Sequence, residues 1–113
     1  FDLAGHVIGI IVNTDLTDEL LDQVILEIKA RLEQYEQVNV YLELEKGHEI
    51  SFKALLKGIN FKYSNADFFN KFAIVTDSIW FQKAVNVSDI FLNVEVRTYD
   101  IKDRLDAIQW ISI

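Results

Sequence analysis

Val7-Ile8-Gly9-Ile10-Ile11-Val12 runs on through Asn13-Thr14-Asp15-Leu16 into Thr17-Asp18-Glu19-Leu20-Leu21, and the change of pattern along this stretch decides the fold. The first run is almost continuously β-branched, the composition of a central strand buried on both faces. Thr17 then reads as a helix cap, because acids such as Asp18 and Glu19 are favoured in a first helical turn. Beyond it, Leu20, Leu21, Val24, Ile25, Ile28, Leu32 and Tyr35 share one stripe while Asp22, Lys29 and Glu33 take the opposite face. That spacing predicts a strongly amphipathic helix of about five turns. A buried strand feeding a helix is how an α/β chain begins.

The alternation continues downstream. Val38, Val40, Leu42 and Leu44 alternate strictly with Asn39, Tyr41, Glu43 and Glu45, which predicts a strand with one dry and one wet face. Leu42 and Leu44 should face helices, and Glu43 and Glu45 should face solvent. After the loop Lys46-Gly47-His48-Glu49 comes a helix with Phe52, Leu55, Leu56 and Ile59 inward and Lys53 and Lys57 outward. Residues 61–70 have no clear period and read as the one place for a mobile lid. Phe72-Ala73-Ile74-Val75 is a short buried strand, and Asp77 or Ser78 caps a helix carrying Trp80, Phe81, Ala84 and Val85. Val94, Val96 and Thr98 alternate with Glu95 and Arg97 in a last strand. A final helix from about Asp103 turns Leu105, Ile108 and Trp110 or Ile111 toward the sheet. The order βαβαβαβα predicts mostly parallel strands joined by right-handed crossovers.

Composition bounds what such a chain can do. At 113 residues it is one domain, residues 1–113, able to bury about 65% of the surface its unfolded chain exposes. The absence of cysteine excludes disulfides and thiolate metal sites, and no proline with only four glycines argues against a loop-rich architecture. Val7–Val12 is far too short to span a bilayer and has no basic region before it. A net charge of −7 opposes nucleic-acid phosphates and disfavours wholesale adsorption to an anionic membrane. A cytoplasmic protein fits, with any membrane association peripheral. The first residue is Phe1, so upstream residues are expected.

His48, Glu49 and Ser51 crowd one helix start, where hydrolase chemistry would look for a nucleophile and a base. No G-x-S-x-G elbow is present and no second histidine lies near in sequence, so no catalytic residue is assigned and Ser51 reads first as a cap. The two histidines, His6 and His48, have no metal-ligand spacing, and the glycines at 5, 9, 47 and 58 build no phosphate loop, so neither metal nor cofactor is expected. Asp77 stands where open α/β sheets often bind ligands, but a cap accounts for it without one. Aromatic placement is more informative. Nine of the fourteen aromatic residues, Phe91 among them, lie between positions 52 and 91. Phe52, Phe72 and Phe81 read as core. Phe61, Tyr63, Phe68 and Phe69 flank polar residues and point to a partly open apolar cleft floored by Leu55, Ile59 and Trp80, under a cover formed by residues 61–69.

These core positions and turns carry a resemblance. Leu16-Thr17-Asp18-Glu19, Val40-Tyr41-Leu42-Glu43-Leu44-Glu45 and Ser51-Phe52-Lys53-Ala54-Leu55-Leu56 come first. Phe72-Ala73-Ile74-Val75-Thr76-Asp77 with Trp80, Val94-Glu95-Val96-Arg97-Thr98-Tyr99 and Ala107-Ile108-Gln109-Trp110-Ile111 follow. Together they resemble the SpoIIAA-like branch of the STAS family, the sulfate-transporter and anti-sigma-factor-antagonist domains. The resemblance implies a bacterial protein with a mixed, mostly parallel sheet of four to five strands, helices mainly on one face, and a further strand before Val7, partly represented by residues 1–4. It implies no enzymatic activity. Similarity of that branch to lipid-binding domains of the CRAL-TRIO type implies an apolar or amphiphilic small molecule as ligand, with peripheral membrane contact. In regulatory relatives a serine in an Asp-Ser-Ser-Gly motif at the corresponding helix start is phosphorylated. Here Glu49-Ile50-Ser51-Phe52 keeps one hydroxyl, so Ser51 is either a phospho-acceptor or a cap. The alternative to a small ligand is a protein partner, bound as anti-sigma-factor antagonists bind theirs, or a homodimer burying the same patch.

Overall fold

The computed structural model describes residues 5–88 and 94–113. Four strands alternate with four helices: β1 (Val7–Val12), α1 (Asp18–Leu32), β2 (Val38–Leu44), α2 (Phe52–Ser64), β3 (Phe69–Val75), α3 (Ile79–Ser88), β4 (Glu95–Tyr99) and α4 (Arg104–Ile111). Single 3-10 turns at Ala66–Phe68 and Ile101–Asp103 lead into β3 and α4. Among the described residues the sheet order is β1-β2-β3-β4 and every pairing is parallel, with Ile8 opposite Val40 and Val40 opposite Phe72. So β1 stands at an end of this sheet, with Ile11 49% exposed, and is not the central strand buried on both faces that its β-branched run predicts. The strand expected before Val7 on residues 1–4, and Phe91, lie outside the described residues.

Each long helix starts on a hydroxyl that satisfies an orphan backbone donor. Thr17 Oγ1 accepts from Leu20 N at 3.3 Å, Ser51 Oγ from Ala54 N at 3.1 Å and Ser78 Oγ from Phe81 N at 3.1 Å. Asp77 is not the cap of α3: it accepts from Ile101 N at 2.9 Å and so ties the end of β4 to the end of β3. The larger core lies where Ile8, Ile10, Val40, Leu42 and Ile74 meet Leu21, Val24 and Ile28 of α1, Leu55 of α2 and Phe81 and Val85 of α3. The smaller core sets Val7, Tyr41, Ala73 and Val75 against Ala107 and Ile111 of α4. Three helices on one face and one on the other make a sheet covered mainly from one side.

That single helix overturns the wet-face reading of β2. All seven of its residues are buried, and Glu43 retains only 3% exposure. Strict alternation predicts one face in water, but it fixes only which residues share a face; α4 packs over the polar set, and its Arg104 meets the Glu43 charge. Glu45, just past the strand, is exposed as expected. Other inward expectations fail for a related reason. Phe52 and Leu56 are exposed, because the buried stripe of α2 runs through Ala54, Leu55 and Ile59 to Lys62. Leu105 is 75% exposed, since Ala107 and Ile111, one turn apart, are what α4 presses on the sheet. Tyr35 falls beyond the end of α1 and is exposed.

Residues 61–70 are not irregular. Nothing between Gly58 and Asn65 breaks a helix, so α2 propagates until Asn65 closes it, donating to Phe61 O from its backbone N (3.1 Å) and from Nδ2 (2.9 Å). One 3-10 turn follows, and β3 begins three residues earlier than its Phe72 start in the sequence reading. A helix turn and a strand start replace the expected mobile cover.

Candidate binding cavity

The three helices on the larger face do not close completely over the sheet. A cavity of about 90 Å³ lies between them. Its floor is Val40, Leu42 and Ile74 from the sheet, and its α1 wall is Leu21, Val24, Ile25 and Ile28. From α2 come Leu55, Gly58, Ile59, Phe61 and Lys62, and α3 closes the far side with Phe81 and Val85. Native interiors hold few voids larger than a water molecule, so a lining this apolar is a distinguishing feature. Ile25, Gly58, Ile59 and Phe61 are only half-buried, which puts the approach from solvent along the seam between α1 and α2.

Gly58 and Lys62 give the α2 wall its character. A Cβ built at Gly58 would meet only Leu21 Cδ2, at 3.6 Å, so the glycine leaves room that an ordinary residue would fill. Lys62 follows four residues later on the same stripe and is 7% exposed. Its Nζ lies 6.0 Å from the centroid of the exposed Tyr63 ring. Lys62 thus contributes to the cavity wall as a buried lysine among apolar neighbours.

Of the residues singled out from sequence, Leu55, Ile59 and Phe61 line this cavity. Phe69 is buried beside it, edge-on to Phe61 (5.8 Å) and Phe72 (4.9 Å). Tyr63 and Phe68 are exposed, and Trp80 is 45% exposed and stacks on Phe52 at 6.2 Å between centroids. Trp80 thus belongs to a surface patch with Phe52, Leu56 and Ile79 and does not line the cavity floor. The α1 wall, Gly58 and Lys62 escaped the sequence reading. Their signal was a lone lysine and a glycine on the apolar i, i+3, i+4 stripe of residues 55, 58, 59 and 62.

Two polar clusters lie elsewhere. At the carboxyl ends of the strands, Asp15 Oδ1 accepts from Glu49 N (3.0 Å) and pairs with His48 Nδ1 (3.3 Å), while Ser78 Oγ donates to Glu49. The Glu49 N–H first, and then the His48 contact, hold the Asp15 carboxyl below the usual aspartate range. Here His48 Nδ1 pairs with Asp15, and Ser51 Oγ caps α2. Beneath α4, Tyr41 Oη donates to Glu43 Oε1 (2.5 Å) and Arg104 Nη2 contacts Glu43 Oε2 (3.0 Å). Burial, then the Glu43 hydrogen bond, push the Tyr41 phenol well above the usual tyrosine range. Among the described residues no group of three His, Asp or Glu could hold a metal ion, and no helix is long and apolar enough to cross a membrane.

A family model described as SpoIIAA-like matches residues 7–112. The fold is similar to the crystal structure of an uncharacterized protein of the DUF3478 family with a SpoIIAA-like fold, from Shewanella loihica PV-4. The two are 18% identical with a TM-score of 0.64, over 89% of this chain and 80% of that one. No curated protein matches.

Proposed function

The chain belongs to the SpoIIAA-like family, and from that premise we propose that it is a small binding module whose cavity takes the apolar part of a lipid-like or amphiphilic molecule. The cavity among α1, α2, α3 and the sheet carries this reading. At about 24 cal/mol per Å³, an empty void of its size costs about 2 kcal/mol, against a total stability of about 5–15 kcal/mol for an ordinary domain. A ligand that fills the void relieves that cost, and the apolar lining selects hydrocarbon over polar groups. Exposed Phe52, Leu56, Ile79 and Trp80 give the same molecule a surface for peripheral membrane contact, a role that suits proteins handling amphiphiles.

Protein stripped of co-purified molecules by organic extraction and refolding supplies the test. A straight-chain alcohol or carboxylate present at a hundred times its dissociation constant should raise the melting temperature by about 10 °C. Native mass spectrometry before stripping should reveal a bound small molecule. Melting curves that stay flat across the series, with no bound mass, would sink the proposal.

A second reading rests on the Phe52–Trp80 stack. Two exposed aromatic rings held together between helix starts suit a protein partner, docked as by an anti-sigma-factor antagonist, or a second copy of the chain. Phe52→Ala with Trp80→Ala would then abolish self-association in sedimentation while leaving ligand-induced stabilisation intact.

A further inference from the structure

Resting on the cavity reading above, we infer that a row of ion pairs across the α1–α2 seam is a clamp that gates the passage of a ligand into the cavity. Lys57 of α2 meets Asp22 of α1 at 2.9 Å and Asp18 at 3.8 Å, and Lys53, one turn earlier, meets Asp18 at 3.4 Å. Three of the five ion pairs among the described residues thus cross this one seam. They stand beside the opening. Lys57 directly precedes Gly58, and Asp22 lies one turn before Ile25, two half-buried residues of the cavity wall. Lys53 shows that the pairing is no by-product of helix chemistry. A cation is disfavoured in a first helical turn, yet the first turn of α2 holds this lysine and no acid, and Asp18 across the seam is what offsets the placement.

Apolar packing is thin at this place. Gly58 offers no side chain, and the void behind it removes contacts that would otherwise hold α2 to α1. A molecule entering along the seam must part the two helices and stretch the ion pairs that bridge them. The pairs are intact before entry and again once the cavity is filled, so they act on the barrier to passage and leave affinity to the apolar lining. Lys57 and Asp18 have side-chain exposures of 34% and 22%, which makes them the least solvated members of the row. Pairs that remain in contact with water are individually weak and screened by salt, so the clamp opens in solution and its grip falls with ionic strength.

Hexanol is the probe because it is neutral, so salt acts on the protein and not on long-range steering of the ligand. Its entry and exit rates are read by NMR exchange on stripped wild type, on Lys53→Gln combined with Lys57→Gln, and on Lys83→Gln, a lysine of α3 that enters none of these pairs. In wild type both rates should rise about threefold to tenfold between about 0.01 M and about 1 M salt, where the Debye length falls from about 30 Å to about 3 Å. The dissociation constant should stay within about twofold. The double variant should be as fast at low salt as wild type is at high salt and should no longer respond, while Lys83→Gln behaves as wild type. Rates that ignore salt, or that rise equally in the double variant, overturn the clamp and leave the cavity reading standing. A lower melting temperature with unchanged rates shows pairs that only stabilise the fold and overturns it too. Failure of hexanol to saturate removes the cavity reading and this one with it. If the double variant does not fold, Lys57→Gln alone, which loses two of the three pairs, takes its place.

Discussion

Arg104→Met tests how α4 is fastened to the sheet. Glu43 has 3% side-chain exposure, and its two oxygens are met by Tyr41 Oη and Arg104 Nη2, at 2.5 and 3.0 Å. Methionine keeps the apolar stem and removes the cation, leaving a buried carboxylate with one donor. Breaking a buried ion pair from one side costs about 3–5 kcal/mol. Arg104 is itself 47% exposed, so water can partly replace it and the lower figure of about 2–3 kcal/mol is expected. For a domain of this length that is a fall of about 10 °C in melting temperature, read by circular dichroism. Adding Glu43→Leu and Tyr41→Phe to the same background should recover most of the loss, since a buried polar cluster replaced by apolar groups of similar size is often neutral. An Arg104→Met protein within about 0.5 kcal/mol of wild type, the range of an ordinary surface change, would refute the reasoning. It would mean that Glu43 is hydrated and α4 only loosely docked.

Gly58→Ala should raise stability by about 0.5–1 kcal/mol in urea unfolding, because alanine favours the helix and its Cβ lands 3.6 Å from Leu21 Cδ2, an ordinary contact; a loss would mean that the seam is already full. Ser51→Ala should cost about 1 kcal/mol through the lost cap to Ala54 N, and Ser51→Asp should stay within a few tenths, so chemical unfolding of both separates a cap from a merely polar surface residue. Asp15 has its folded pKa depressed, so its contribution is present above the unfolded aspartate value of about 3.9 and is lost as pH falls through the folded value. Acid titration of stability should therefore show wild type and Asp15→Asn converging below about pH 4, and a constant gap down to the lowest pH would remove this account.

Local pattern was enough for the succession of elements. The β-branched run of β1, the Thr17 and Ser51 caps and the 3.6-residue stripes each follow from interactions within a few residues, which is why they are legible in a single chain. Leu55 and Ile59, read as a cleft floor, and Phe61, read as part of a cover above it, all line the cavity. What covers a face is a different kind of fact. Glu43 alternates like a solvent residue, yet it is buried because α4, more than sixty positions later in the chain, crosses β2 and brings Arg104 with it. Phe52 reads as core and Trp80 as the floor of a cleft, yet they meet each other on the surface at the starts of α2 and α3. The void beside Gly58 and the burial of Lys62 belong to the same class. Period is set by backbone geometry and can be read along the chain, whereas burial is set by which distant element happens to pack there, and only the tertiary structure decides that.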